Sequence, residues 1–299
     1  MLDYKSILVV IDPYHKEQPA LSRALVLAKQ YSAKITLCSS IYDNSYEMAT
    51  ALDNEQKQSI KTALINQQIN FLTSLVNKYL GKIESDYKVL WEKKAYKGIM
   101  KAAENSGCEL IVKSTKKHSK FGQKIFTPTD WHVIRNSPVN VLFVKEHEWI
   151  NGGNVVCAVG VNEADKKHAC LSKSVSETAY YINKAVDGNL HFINTYTGAP
   201  VHISIEVPQF SAELYNADVK KKRTHNIQPL ADEFNIPDSN LHVEEGLPED
   251  VIPDLCDELD AQLLVLGSVG RKGLSAALLG NTAEHIIDNI NCDTLVVKP

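Results

Sequence analysis

Short apolar runs alternate along the chain with segments of helical spacing. Residues 6–11 (Ser6-Ile7-Leu8-Val9-Val10-Ile11) form a strand-length run rich in β-branched side chains. Similar runs occur at 34–41, 86–91, 109–113 and 139–144. Between them, Ala20, Leu21, Ala24, Leu25, Leu27 and Ala28 suit one helix face, and Leu64, Ile65, Ile69, Leu72, Leu75, Val76 and Leu80 suit a longer one. The order restarts at 154–160, with further runs at 189–195, 240–245, 262–266 and 293–297. Strands that alternate with helices predict an α/β fold, with a parallel sheet covered on both faces. The stretches 42–56 and 196–214 are polar, lack clear periodicity and follow the second strand of each half.

From about residue 90 the halves align at an offset of 153. Leu110-Ile111-Val112 falls on Leu263-Leu264-Val265, and His132, Ile134, Asn136, Leu142, Val144 and Lys145 meet identical residues. A repeat this long is a duplicated domain and not a solenoid unit. Gly152 and Gly153 interrupt the pattern near 145–154, so domains are expected at 1–148 and 149–299.

Charge separates the halves. Residues 1–150 carry 21 Lys/Arg against 15 Asp/Glu, and residues 151–299 carry 11 against 21. Hydrophobic content of 44% with net charge −4 excludes general disorder. No apolar run approaches the ~20 residues of a membrane span. The first residues lack a basic region leading into an apolar core, so no secretory signal is expected. The six cysteines are widely spaced with no CxxC pair, which argues against disulfide or zinc scaffolds and for a reducing cytoplasm.

Chemistry concentrates where the strand Gln262–Leu266 meets Gly267-Ser268-Val269-Gly270-Arg271-Lys272-Gly273 and then Gly280-Asn281-Thr282 before a helix. Glycines permit close backbone approach, and a helix start presents free N–H groups to an anion. The spacing fits neither Walker A nor the Rossmann fingerprint.

Gly267-x2-Gly270-x9-Gly280-Asn281 resembles the G-x2-G-x9-G-[ST] nucleotide pattern of the universal stress protein family, with Asn281 at the Ser/Thr position and Thr282 next to it. Further resemblance, closest to the E-type tandem members, lies in Val9-Val10-Ile11-Asp12-Pro13, Phe126-Thr127-Pro128-Thr129-Asp130-Trp131-His132 and Glu245-Gly246-Leu247-Pro248-Glu249. It implies two tandem flavodoxin-like (Rossmann-like) domains, each a five-stranded parallel sheet with helices on both faces. The implied ligand is ATP, at the C-terminal ends of the strands. The implied binding residues are Gly267, Ser268, Gly270, Arg271, Gly280, Asn281, Thr282 and Gly246. Mg²⁺ or Mn²⁺ would enter only on the nucleotide's phosphates, and no built-in metal site is expected.

Neither half matches the pattern completely. The second keeps the glycines, but Gly160 stands where the first half has Asp12. In the first half the glycines map to Ser114, Lys117 and Thr127, inside a lysine-rich loop. Asp12, Lys116, Lys117, Lys120 and Thr127 are therefore a candidate groove for a different, anionic ligand. His132 and His285 match each other but lack a nucleophile and an orienting acid, so no catalytic residue is assigned. Lys220-Lys221-Lys222-Arg223 is expected to face solvent.

The leading expectation is a cytoplasmic stress-resistance protein switched by ATP, reading out to a protein partner. A slow ATPase, or a partner-binding module that needs no ligand, are the alternatives. The acidic second half weighs against nucleic acid. The family's usual pairing edge is the last strand, here 139–144 and 294–297, which implies an intrachain pseudo-dimer and leaves a homodimer open.

Overall fold

In a computed structural model, the described residues are 4–48, 52–115, 126–145, 147–160, 166–200, 210–268 and 280–299. They fall into two compact units, Asp3–Glu146 and His147–Pro299.

The first unit contains β1 (Ser6–Val10), α1 (Pro19–Tyr31), β2 (Lys34–Ile41), α2 (Ser45–Met48), α3 (Asn54–Leu75), β3 (Ser85–Trp91), α4 (Ala95–Ser106), β4 (Leu110–Ser114), α5 (Pro128–Asn136) and β5 (Asn140–Val144). Its sheet runs β3-β2-β1-β4-β5, every pairing parallel. The second unit contains β6 (Asn154–Ala158), α6 (Lys166–Ala185), β7 (Asn189–Tyr196), α7 (Ala212–Glu233), β8 (Leu241–Glu245), α8 (Pro248–Glu258), β9 (Ala261–Gly267), α9 (Asn281–Asn289) and β10 (Asp293–Val297). Its sheet runs β8-β7-β6-β9-β10, again parallel throughout.

The central strands are buried on both faces, which is why they read as continuous apolar runs. Ile7, Leu8 and Val9 are wholly buried, as are their counterparts Val155, Val156 and Cys157. The helix spacing seen at 64–80 belongs to a longer helix that begins at Asn54. There the Asp53 side chain accepts from Gln56 N, and the Gln56 side chain accepts from Asp53 N. This capping box satisfies two of the free helix-start donors. It starts the helix inside a stretch that apolar periodicity alone leaves blank. The second uncertain stretch likewise ends in a helix start, with Ser211 capping α7.

Backbone hydrogen bonds match the copies residue by residue. Ile11 N donates to Cys38 O as Val159 N does to Ile193 O, which puts Asp12 opposite Gly160. Glu92 N donates to Ile41 O as Gly246 N does to Tyr196 O. Thr115 N donates to Val144 O as Ser268 N does to Val297 O. The offset of 153 thus holds from the start of α4 and α8, while β3 and β8 before them differ by one residue more. The loop between strand and helix is one residue longer in the first copy.

Cys38, Cys108, Cys157, Cys256 and Cys292 are buried and unpaired, and Cys170 is exposed. Burial pushes the Cys38 and Cys157 thiols up to about 12. Cys256 is raised by its hydrogen bond with Cys292 and then by burial. Among the described residues, no helix is long and apolar enough to cross a membrane, and no group of three or more His, Cys, Asp or Glu could hold a metal ion.

Candidate functional site

In the second unit the chain leaves β6 toward β7 on one side, and β9 pairs with β6 on the other. The order of strands reverses there, and open parallel sheets keep their ligand crevices at such a point. A pocket of about 550 Å³ opens at this place. Ala158, Val159 and Gly160 from the end of β6, Ile193, Asn194 and Thr195 from β7, and Leu266 and Gly267 from β9 form its floor. Leu171, Ser172 and Val175 of α6 close one side. Pro248 and Ile252 of α8, with Gly280, Asn281, Thr282 and Ala283 at the start of α9, close the other. The volume lies in the range of ligand pockets, and the mix of apolar walls with a few polar groups is typical of them.

Gly267 lies against α6. A Cβ there would come within 3.0 Å of Leu171 Cδ2 and 3.1 Å of Val175 Cγ2. Gly280 is the N-cap of α9 and has no side chain with which to cap it. The first N–H groups of this nine-residue helix have no side-chain acceptor from their cap, and the helix dipole adds positive potential there.

The first unit resolves the same helix end differently. Thr127 caps α5, and Thr127 N donates to Asp130 Oδ2 at 2.7 Å while Asp130 N donates to Thr127 Oγ1 at 3.3 Å. Asp130 is wholly buried and pairs with Lys113, whose Nζ lies 2.6 Å from Asp130 Oδ1. Lys113 Nζ also donates to Ser114 O at 2.9 Å. The residues at these positions in the second unit are Ala283 and Leu266, which line the pocket. Where the second copy has an apolar floor and an uncapped helix, the first has a buried ion pair and its own carboxylate.

Of the residues singled out from sequence, Gly267, Gly280, Asn281 and Thr282 come together in the pocket lining. Ser268 is wholly buried, and both its N–H and its Oγ donate to Val297 O, at 2.9 and 3.1 Å. Gly246 is not among the lining residues; it follows β8 with φ at +142°. Gly270, Arg271, Lys116, Lys117 and Lys120 lie outside the described residues. Asp12 Oδ1 accepts from Tyr14 N at 3.0 Å, and its backbone is held by the Gln18 side chain. Ser114, at the position of Gly267, accepts from Ala20 N at the start of α1.

Sequence reasoning missed three features. Arg223 was expected in solvent with its lysine neighbours, yet it reaches the pocket as the charged member of the described lining. Lys220, Lys221 and Lys222 are exposed, as the run suggested. Asn194 is a polar residue inside a buried strand run, a signal that was readable. So was Lys113, a lysine ending an apolar run. The matched histidines are both exposed, and His132 stacks on Tyr96 with ring centroids 4.3 Å apart.

The universal stress protein family profile matches residues 3–145 and 171–298. Universal stress protein E of Photorhabdus laumondii is 39% identical over 302 residues, covering all of this chain and 96% of its own. Universal stress protein E of Escherichia coli K12 is 38% identical over 301 residues, covering all of this chain and 95% of its own. Among solved structures, a functionally unknown protein of Pseudomonas aeruginosa PAO1 superposes with a TM-score of 0.75 at 27% identity, over 99% of this chain and 93% of that one. Fold, duplication and sequence agree, and the chain belongs to the universal stress protein family.

Proposed function

We propose that this stress-family protein is switched by ATP held in the second unit. Support comes from one contrast between its copies. The start of α9 has no side-chain cap, since its first-turn acid Glu284 stands one residue beyond the position that Asp130 holds in α5, and it opens onto a pocket sized for a nucleotide. An anionic phosphate supplies the charge that the uncapped helix end favours. Gly267, Gly280, Asn281 and Thr282 would surround the phosphates, Arg223 would add positive charge, and Ile193, Leu266 and Ile252 would cover an apolar base. A divalent ion would enter only with the phosphates, and the unpaired cysteines fit a reducing cytoplasm. In this reading, ligand binding orders the surface around the pocket for a protein partner.

The first unit is assigned no nucleotide, because Asp130 already occupies the charge position at its helix end. Thermal unfolding with and without ATP tests the reading. ATP at 100 times its Kd stabilises the folded chain by about 2.7 kcal/mol and raises the midpoint by several degrees. No shift at millimolar ATP would point instead to a partner-binding module that needs no ligand.

A further inference from the structure

Two helix faces, one in each unit, carry opposite charge at matching positions. α4 packs beside α5 in the first unit, and α8 packs beside α9 in the second. At the offset of 153, Lys97 of α4 matches Asp250 of α8, Lys101 matches Asp254, and Arg135 of α5 matches Asp288 of α9. All six are exposed. Asp257 and Glu258 extend the acidic face, and residues 248–268 and 281–297 contain no Lys or Arg. Lys94 extends the basic face, where Glu104 is the exposed acid of α4. Helix stability does not account for the contrast. Asp250 lies in the first turn of α8, where the helix dipole favours an acid. Lys97 lies in the first turn of α4, which holds no acid, and there the dipole works against a cation. Among the described residues, Lys97, Asp250 and Asp254 have no ion-pair partner, while Lys101 pairs with Glu92.

We infer that these faces dock two copies of this chain, with the basic α4–α5 face of one copy on the acidic α8–α9 face of the other. The inference does not depend on the nucleotide reading. A second copy always carries the complement of each face, because the same helix positions bear cations in one unit and anions in the other. Opposite potentials steer such faces together and fix their orientation. Exposed ion pairs contribute little each, so the docking is weak and reversible. It is also sensitive to salt, because the screening length falls from about 10 Å at 0.1 M to about 3 Å at 1 M.

Sedimentation velocity of the full chain without nucleotide tests the inference. The expected result is a mass above that of one chain at about 0.05 M salt, falling to that of one chain at about 1 M. K97D/K101D makes both faces acidic, and D250K/D254K makes both basic. Each variant is expected to associate about 10-fold or more weakly than the wild type at low salt. An equal mixture of the two is expected to regain the wild-type association, because every acidic face then meets a basic one. Misfolding of either variant cannot produce that rescue. A wild-type chain that stays at the mass of one copy in low salt would overturn the inference and leave the charges to a different partner. Association that survives in either variant alone, or a mixture that stays at the mass of one chain, would overturn it as well.

Discussion

Lys113 Nζ and Asp130 Oδ1 lie 2.6 Å apart, with the lysine side chain 11% exposed and the aspartate wholly buried. Asp130 also accepts from the backbone N–H of Thr127, so one carboxylate serves both an ion pair and a helix end.

Removing one partner of a buried pair strands the other charge, which costs more than the pair itself contributes. D130A is expected to destabilise the chain by about 3–5 kcal/mol, because Lys113 is left without its counter-ion and α5 without part of its cap. The double variant K113L/D130A copies Leu266 and Ala283 of the second unit and is expected to recover most of that loss. Urea unfolding of the three proteins measures both effects. A double variant no more stable than D130A would contradict this account.

The converse change belongs in the second unit. A283D places a carboxylate where Asp130 stands in the first, within reach of the start of α9. The expected result is a 10- to 100-fold loss of ATP affinity by calorimetry, because the new carboxylate repels phosphate, together with lower stability, because Ala283 is buried and Leu266 stands where Lys113 balances Asp130. Undiminished ATP binding would place the nucleotide elsewhere.

Acid should weaken the second unit through a histidine pair on neighbouring strands. His191 of β7 and His242 of β8 stack with centroids 5.3 Å apart, and His191 Nδ1 lies 3.1 Å from His242 Nε2. Burial, and then the charge of His242, hold His191 below the ordinary 6.5. Burial also lowers His242, against the opposing pull of Glu244 and Glu258. The folded chain therefore binds fewer protons than the unfolded one near pH 6.5. Stability is fully present above that pH and falls as pH drops through the lowered folded values. Urea midpoints taken from pH 8 to pH 5 are expected to decline below 6.5, with a shallower slope in H242Q.

Gly246 has a structural role at the end of β8. Its φ of +142° suits glycine, and a Cβ would lie 2.5 Å from Val251 Cγ2. G246A is expected to lower stability by about 1–3 kcal/mol. Loss of ATP affinity with an unchanged unfolding midpoint would assign Gly246 to the ligand instead.

The sheets were legible because buried parallel strands need unbroken apolar runs. Ile7–Val10 and Leu263–Leu266 leave little other reading. The start of α3 was not, since Asp53 and Gln56 act through caps and carry no apolar periodicity. At the site, Gly267 and Gly280 pointed to the end of β9 and the start of α9, which line the pocket. Sequence could not show that Ser268 turns inward, because that depends on Val297 O from a neighbouring strand. Nor could it show that Arg223 reaches the pocket, which depends on how α7 lies against its sheet. The Lys113–Asp130 pair joins residues on a strand and a helix that only the fold brings together.

The placement of the cysteines bears on how this protein meets oxidants. The thiolate is the reactive species, and thiols held at about 12 supply almost none at neutral pH. Cys170 alone is exposed among the six. A maleimide reagent should therefore modify one site per native chain rapidly and reach six only after unfolding. In a protein of a stress family, this leaves peroxide a single thiol to attack while the fold holds.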